Sequence, residues 1–78
     1  MGPPRLSVVI PAVDEEACVG FAIASARAAG EGVEVIVSDG GSRDATRQVA
    51  VAAGACVLQG PRGRGIQLHA GARRARGD

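Results

Sequence analysis

The feature that most limits what this chain can fold into is an alternation, repeated three times, of a short apolar run and a longer amphipathic stretch. Residues 6–10 (LSVVI) are β-branched and apolar and stop at Pro11, as a buried strand would. Asp14 then stands as a candidate N-cap, with Glu15 and Glu16 in the first turn, where acids favour the positive end of a helix. Val19, Ala22, Ile23 and Ala26 follow at helical spacing, and Gly30 and Gly32 end the stretch. Residues 33–37 (VEVIV) predict a second strand, 38–41 (SDGG) a turn, and Ser42 a second N-cap with Asp44 in the first turn. Ala45, Val49, Ala52 and Ala53 form the expected apolar face of the second helix, closed by Gly54. Residues 55–58 (ACVL) predict a third strand, and 60–65 (GPRGRG) a loop. A third helix is expected over 66–76, with Leu68, Gly71, Ala72 and Ala75 facing inward.

Strand–helix repetition of this kind predicts an α/β fold: a three-layer αβα arrangement around a parallel, Rossmann-like sheet with right-handed crossovers. Ligands of such sheets bind beyond the carboxyl ends of the strands. The function should therefore lie in residues 11–16, 38–44 and 60–65. These loops exclude two familiar phosphate cradles. There is no GxGxxG after the first strand, and a P-loop would need a lysine, of which the chain has none.

Each loop carries groups that suit a nucleotide and that also have plain structural uses. The acids at 14–16 suit ribose hydroxyls or base N–H groups, or they cap a helix. Asp39, at the end of an apolar strand, can accept from a base imide with Gly40 and Gly41 leaving room for a flat ring, or it belongs to a tight turn capped by Ser42. Arg62 and Arg64 suit a diphosphate on a helix N-terminus near Gly65, or they are solvated. Asp44 reads as a capping acid. His69 has no partner at metal-ligand spacing and reads as structural.

Composition narrows the partners. All nine basic residues are arginine and the net charge is only +1, so a nucleic-acid partner is not expected. Cys18 and Cys56 lack CxxC spacing and read as small buried apolar residues of a reducing compartment, not as a disulfide or zinc site. No run approaches the ~18 apolar residues of a membrane span. The start, residues 1–5, carries no signal-type apolar core, which predicts a cytoplasmic protein. The chain is 46% apolar, but 15 of those residues are alanine and Phe21 is the only aromatic. Large side chains contribute most burial free energy, so a thin core that packs against a further layer is expected.

In combination, SVVIPAVDEE, VEVIVSDGGSRDAT and GPRGRGIQLHAGARRARGD resemble family 2 glycosyltransferases of the GT-A fold, closest to a bacterial subgroup with an Asp-Gly-Gly-Ser-x-Asp turn. The resemblance runs from about residue 5 to 78. It implies an inverting transfer of sugar from a nucleoside diphosphate donor to an acceptor hydroxyl, a lipid-linked acceptor being one that the subgroup allows. It implies that Pro11, Ala12 and Glu15 meet ribose and base, that Asp39 with Gly40 meets the base, and that Arg62 and Gly65 lie by base and diphosphate. Asp14, Gly40 and His69 depart from the commonest family residues, which are Asn, Asp and Asn. A divalent cation, Mg or Mn, is implied for the full enzyme. Its Asp-x-Asp motif and the catalytic base fall after residue 78, so no catalytic or metal residue is assigned. Residues 1–78 then form the nucleotide-sugar-binding part of a transferase domain, truncated before the metal motif and expected to be inactive alone. The rival reading is a non-enzymatic truncated module with no ligand. A phosphoacceptor receiver fits poorly, because Asp39 follows the second strand and no lysine exists.

Overall fold

The computed structural model describes residues 6–76; the start at residues 1–5 lies outside them. The chain runs β1 (Leu6–Ala12), α1 (Val19–Arg27), β2 (Val33–Asp39), α2 (Thr46–Ala52), β3 (Cys56–Gln59) and α3 (Arg64–Arg74). The three strands form one parallel sheet in the order β1-β2-β3, with Val9 opposite Ile36 and Val37 opposite Val57. The expected α/β alternation and parallel sheet are present.

Side-chain alternation along β2 creates the three layers. Val35 and Val37 point to one face, where they cluster with Ala12, Val19, Ile23 and Ala50 under α1 and α2. Ile36, fully buried, belongs to the opposite face, which α3 covers. Although α3 follows β3 in sequence, it packs mainly on β1 and β2. That return path carries the 60–63 loop back beside the end of β1, and so brings the first and third loops together.

The apolar face of α1 is as its spacing predicts, with Val19 and Ile23 almost wholly buried. The faces expected of the other two helices are met in part. For α2, Val49 and Ala53 pack against the core as expected, but the buried residues are Thr46 and Ala50, and Ala52 is exposed. In α3 they are Gln67 and Gly71, while Leu68 and Ala72 are exposed. Close approach explains the rotation of α3: a Cβ at Gly71 would lie 2.2 Å from Val9 Cγ1. No side chain fits there, so Gly71 faces the sheet as expected, with Gln67 one turn earlier in place of Leu68.

Several boundaries also differ. β1 continues through Pro11 to Ala12, with Pro11 opposite Ser38 and Ala12 opposite Asp39. Asp14 is not the cap of α1. It has φ 51°, a left-handed conformation that Asp adopts more readily than most residues, and the helix starts only at Val19. Ser42 likewise lies four residues ahead of α2. Cys18 is exposed and Cys56 half-buried, so the buried reading fails for Cys18, which sits at the solvent-facing entry to α1. His69 is exposed on α3. No helix among the described residues is long and apolar enough to cross a membrane.

The far end of α3 is tied down as well. Arg76 N–H and Nε donate to the two oxygens of Glu34, at 2.9 and 3.1 Å, and Ser7 Oγ donates to the first at 2.8 Å. The Arg76 amide and then the Ser7 hydroxyl hold the Glu34 carboxyl below its ordinary pKa, against its partial burial.

Candidate functional site

The carboxyl ends of the strands are joined by bonds that extend the ladder: Gly40 N–H to Ala12 O and Gly60 N–H to Asp39 O, both 3.0 Å. Beyond them, the first two loops are stitched into one layer. Asp14 N–H donates to Ser42 Oγ (2.8 Å), Glu15 N–H to Thr46 Oγ1 (2.7 Å) and Glu16 N–H to Asp44 Oδ2 (3.2 Å), while Arg43 N–H donates to Asp14 Oδ1 (2.7 Å). The hydroxyls of Ser42 and Thr46 in turn donate to Asp39 and Asp44. Asp44 also accepts from Thr46 N–H, the capping use expected of it. Its carboxyl is held below the usual range, first by the Thr46 hydroxyl.

Asp39 lies beneath this layer, fully buried. It accepts from the amides of Gly41 (3.0 Å) and Ser42 (2.9 Å), from the Ser42 hydroxyl, and from Arg47 Nη1 at 3.2 Å. Burial pushes its carboxyl up, but the Ser42 hydroxyl and amide, Arg47 and the Gly41 amide outweigh that and hold it below the ordinary value. In this geometry the carboxylate is used by the turn. The carboxylate braces residues 40–42 and does not line the cleft described next. Gly40 is buried too, and a Cβ there would lie 2.8 Å from Gln67 Oε1, so the room beside Asp39 is filled by Gln67 rather than left for a ring.

An open cleft of about 210 Å³ lies at the end of β1, lined by Pro11, Ala12, Val13, Glu15, Arg62, Gly63, Arg64 and Gln67. Of the candidates read from sequence, it gathers Pro11, Ala12, Glu15 and Arg62. Gly65 lies one residue further into α3. Glu15 and the two arginines are exposed, so the cleft carries a carboxylate from the first loop and guanidinium groups at the start of α3. Sequence reasoning missed two residues. Arg47 is the buried acid's counter-charge at i+8 from it, and Gln67 is the floor of the cleft. A polar residue four positions before Gly71, on the same helical stripe, was the available signal for Gln67.

The profile of glycosyl transferase family 2 matches residues 7–78. The chain belongs to this family. No curated protein matches it by sequence. Among solved structures, a mycobacterial protein is 40% identical, with a TM-score of 0.82 over 96% of this chain and 29% of its own. Glucosyl-3-phosphoglycerate synthase from Mycobacterium tuberculosis, solved with Mn²⁺, UDP and glucosyl-3-phosphoglycerate, is 38% identical, with a TM-score of 0.71 over 83% of this chain and 27% of its own. The same synthase was also solved with Mn²⁺, UDP-glucose and phosphoglyceric acid. The chain thus spans less than a third of the length of these family members.

The divalent ion of such relatives finds no holder among the described residues. No group of three or more His, Cys, Asp or Glu side chains converges on one point. The best-placed acids, Asp39 and Asp44, are committed to the turn and to Thr46.

Proposed function

We propose that residues 1–78 supply the nucleotide-binding side of a glycosyltransferase that uses a nucleoside diphosphate sugar and transfers the sugar, with inversion, to an acceptor hydroxyl. What supports this reading is the cleft at the end of β1, where Glu15 and the pair Arg62 and Arg64 converge on the start of α3. A carboxylate suits ribose or base donors. Guanidinium groups beside the first amides of an 11-residue helix suit a diphosphate. The cleft, of about 210 Å³, is open on one side, so a nucleotide held there extends beyond it, with sugar and acceptor held by other parts of the protein. The UDP and UDP-glucose of the solved relatives make a uridine nucleotide the first ligand to try.

Calorimetric titration of the chain with UDP tests the reading. Saturable binding is expected, weakened roughly tenfold when Arg62 and Arg64 are both replaced by alanine, because two charge-assisted contacts are lost. A folded chain that binds no UDP, or whose binding ignores both arginines, refutes the reading and leaves a ligand-free module.

A further inference from the structure

Gln67 is the only buried polar side chain of α3, at 5% exposure, and it spends its amide on three separate segments. Nε2 donates to Ala12 O at 3.1 Å and to Ser38 O at 2.8 Å, the carbonyls at the ends of β1 and β2. Oε1 accepts from Gly63 N–H at 3.0 Å, and the Gln67 backbone N–H donates to Gly63 O at 2.8 Å. Gly63 is therefore gripped from both sides, in a backbone conformation of φ 148° that side-chain-bearing residues rarely adopt. Gly40 supplies the slot, since a Cβ there would come within 2.8 Å of Oε1 and 2.9 Å of Cδ. A leucine could fill this volume. Only a side chain with both donors and an acceptor fixes the arginine-bearing segment against two strand ends at once.

We propose that Gln67 is a positioning residue for the donor diphosphate: through Gly63 it holds Arg62, Arg64 and the first turn of α3 at a set distance from the end of β1. The inference rests on the nucleotide reading of the cleft. It assigns Gln67 no contact with the reacting atoms. Its influence falls mainly on the phosphate end of the ligand, because Gln67 reaches the first loop only at the Ala12 carbonyl, where β1 ends, while the Asp14 and Glu15 amides are held by Ser42 and Thr46.

The test compares UDP with uridine, by calorimetry and by ligand-observed NMR, on the unmodified chain and on Gln67→Met and Gly40→Ala. The first variant removes the amide; the second pushes it aside without deleting it. In both, UDP affinity is expected to fall roughly tenfold while uridine affinity changes less than about twofold, because preorganisation is lost only at the phosphate wall. Equal losses for both ligands, or unchanged UDP affinity in a folded variant, overturn the proposal. Amide exchange on the unmodified chain needs no variant to fold. The Gly63 amide should be protected without ligand and shift on adding UDP but not uridine; an unprotected Gly63 overturns the proposal. If the unmodified chain does not bind UDP at all, the nucleotide reading itself has failed and this inference goes with it.

Discussion

Replacing Asp39 by alanine separates a turn brace from a ligand contact, and its cost can be worked from the structure. The carboxylate is 0% exposed and receives four donors. Two of these regain water when it is removed, since Gly41 is exposed and the Arg47 side chain is 32% exposed. The amide and hydroxyl of Ser42, itself only 5% exposed, do not. At roughly 1–2 kcal/mol for each buried donor deprived of its charged acceptor, Asp39→Ala costs about 2–4 kcal/mol. A chain of this length has about 4–12 kcal/mol in all, so the loss is a large share. Urea unfolding followed by far-UV circular dichroism reads it directly. The acid limb carries a second signature. The folded pKa of Asp39 lies below its unfolded value near ~3.9, so its stabilisation is complete above that pH and drains away as pH falls through the folded value. Asp39→Asn should flatten this acid-induced loss without abolishing it, because Glu34 and Asp44 are depressed in the same direction. A stability change under about 1 kcal/mol, alongside weakened UDP binding, would refute the reasoning and move the carboxylate into the ligand site.

Two further substitutions probe what seats the cleft. Gly71→Ala places a methyl 2.2 Å from Val9 Cγ1, on a β-branched side chain with little rotamer freedom, and should cost about 1–3 kcal/mol in urea unfolding. Val9→Ala in the same chain should recover part of that loss. Thr46→Val keeps the shape of a fully buried side chain but removes the acceptor for Glu15 N–H and the donor to Asp44. Faster hydrogen exchange at the Glu15 amide and a loss of about 1–3 kcal/mol are expected, with Thr46→Ser restoring both in part. An unchanged Glu15 exchange rate would mean that the first loop is held by something other than this hydroxyl.

Much of the architecture was legible from local pattern. Short apolar runs at residues 6–10, 33–37 and 55–58, each followed by helical spacing, are enough to place parallel strands and to name the loops at their carboxyl ends. The approximate site follows, because Glu15 and Arg62 lie in those loops wherever the helices turn. The family motifs sit in the same three segments, so the resemblance and the topology point to one end of the sheet.

What the chain alone left open was the direction in which its alanine- and glycine-rich helices face. In α1, Val19, Ala22, Ile23 and Ala26 recur at helical spacing and select a side, although the larger Phe21 stays exposed. In α2 and α3, small apolar residues occur around much of the circumference, and the hydrophobic pattern chooses weakly. The choice in α3 was made by contacts distant in sequence: Val9 accepts only a glycine above it, and the carbonyls of Ala12 and Ser38, 55 and 29 residues away, take their donors from Gln67. The same holds for Asp39, whose buried carboxylate accepts from Ser42 and Arg47. Strand and helix identity come from neighbours along the chain. The side on which a polar group finds its partner is settled only when separate elements meet, because a buried donor or acceptor must be satisfied by whatever the fold brings within 3 Å or so.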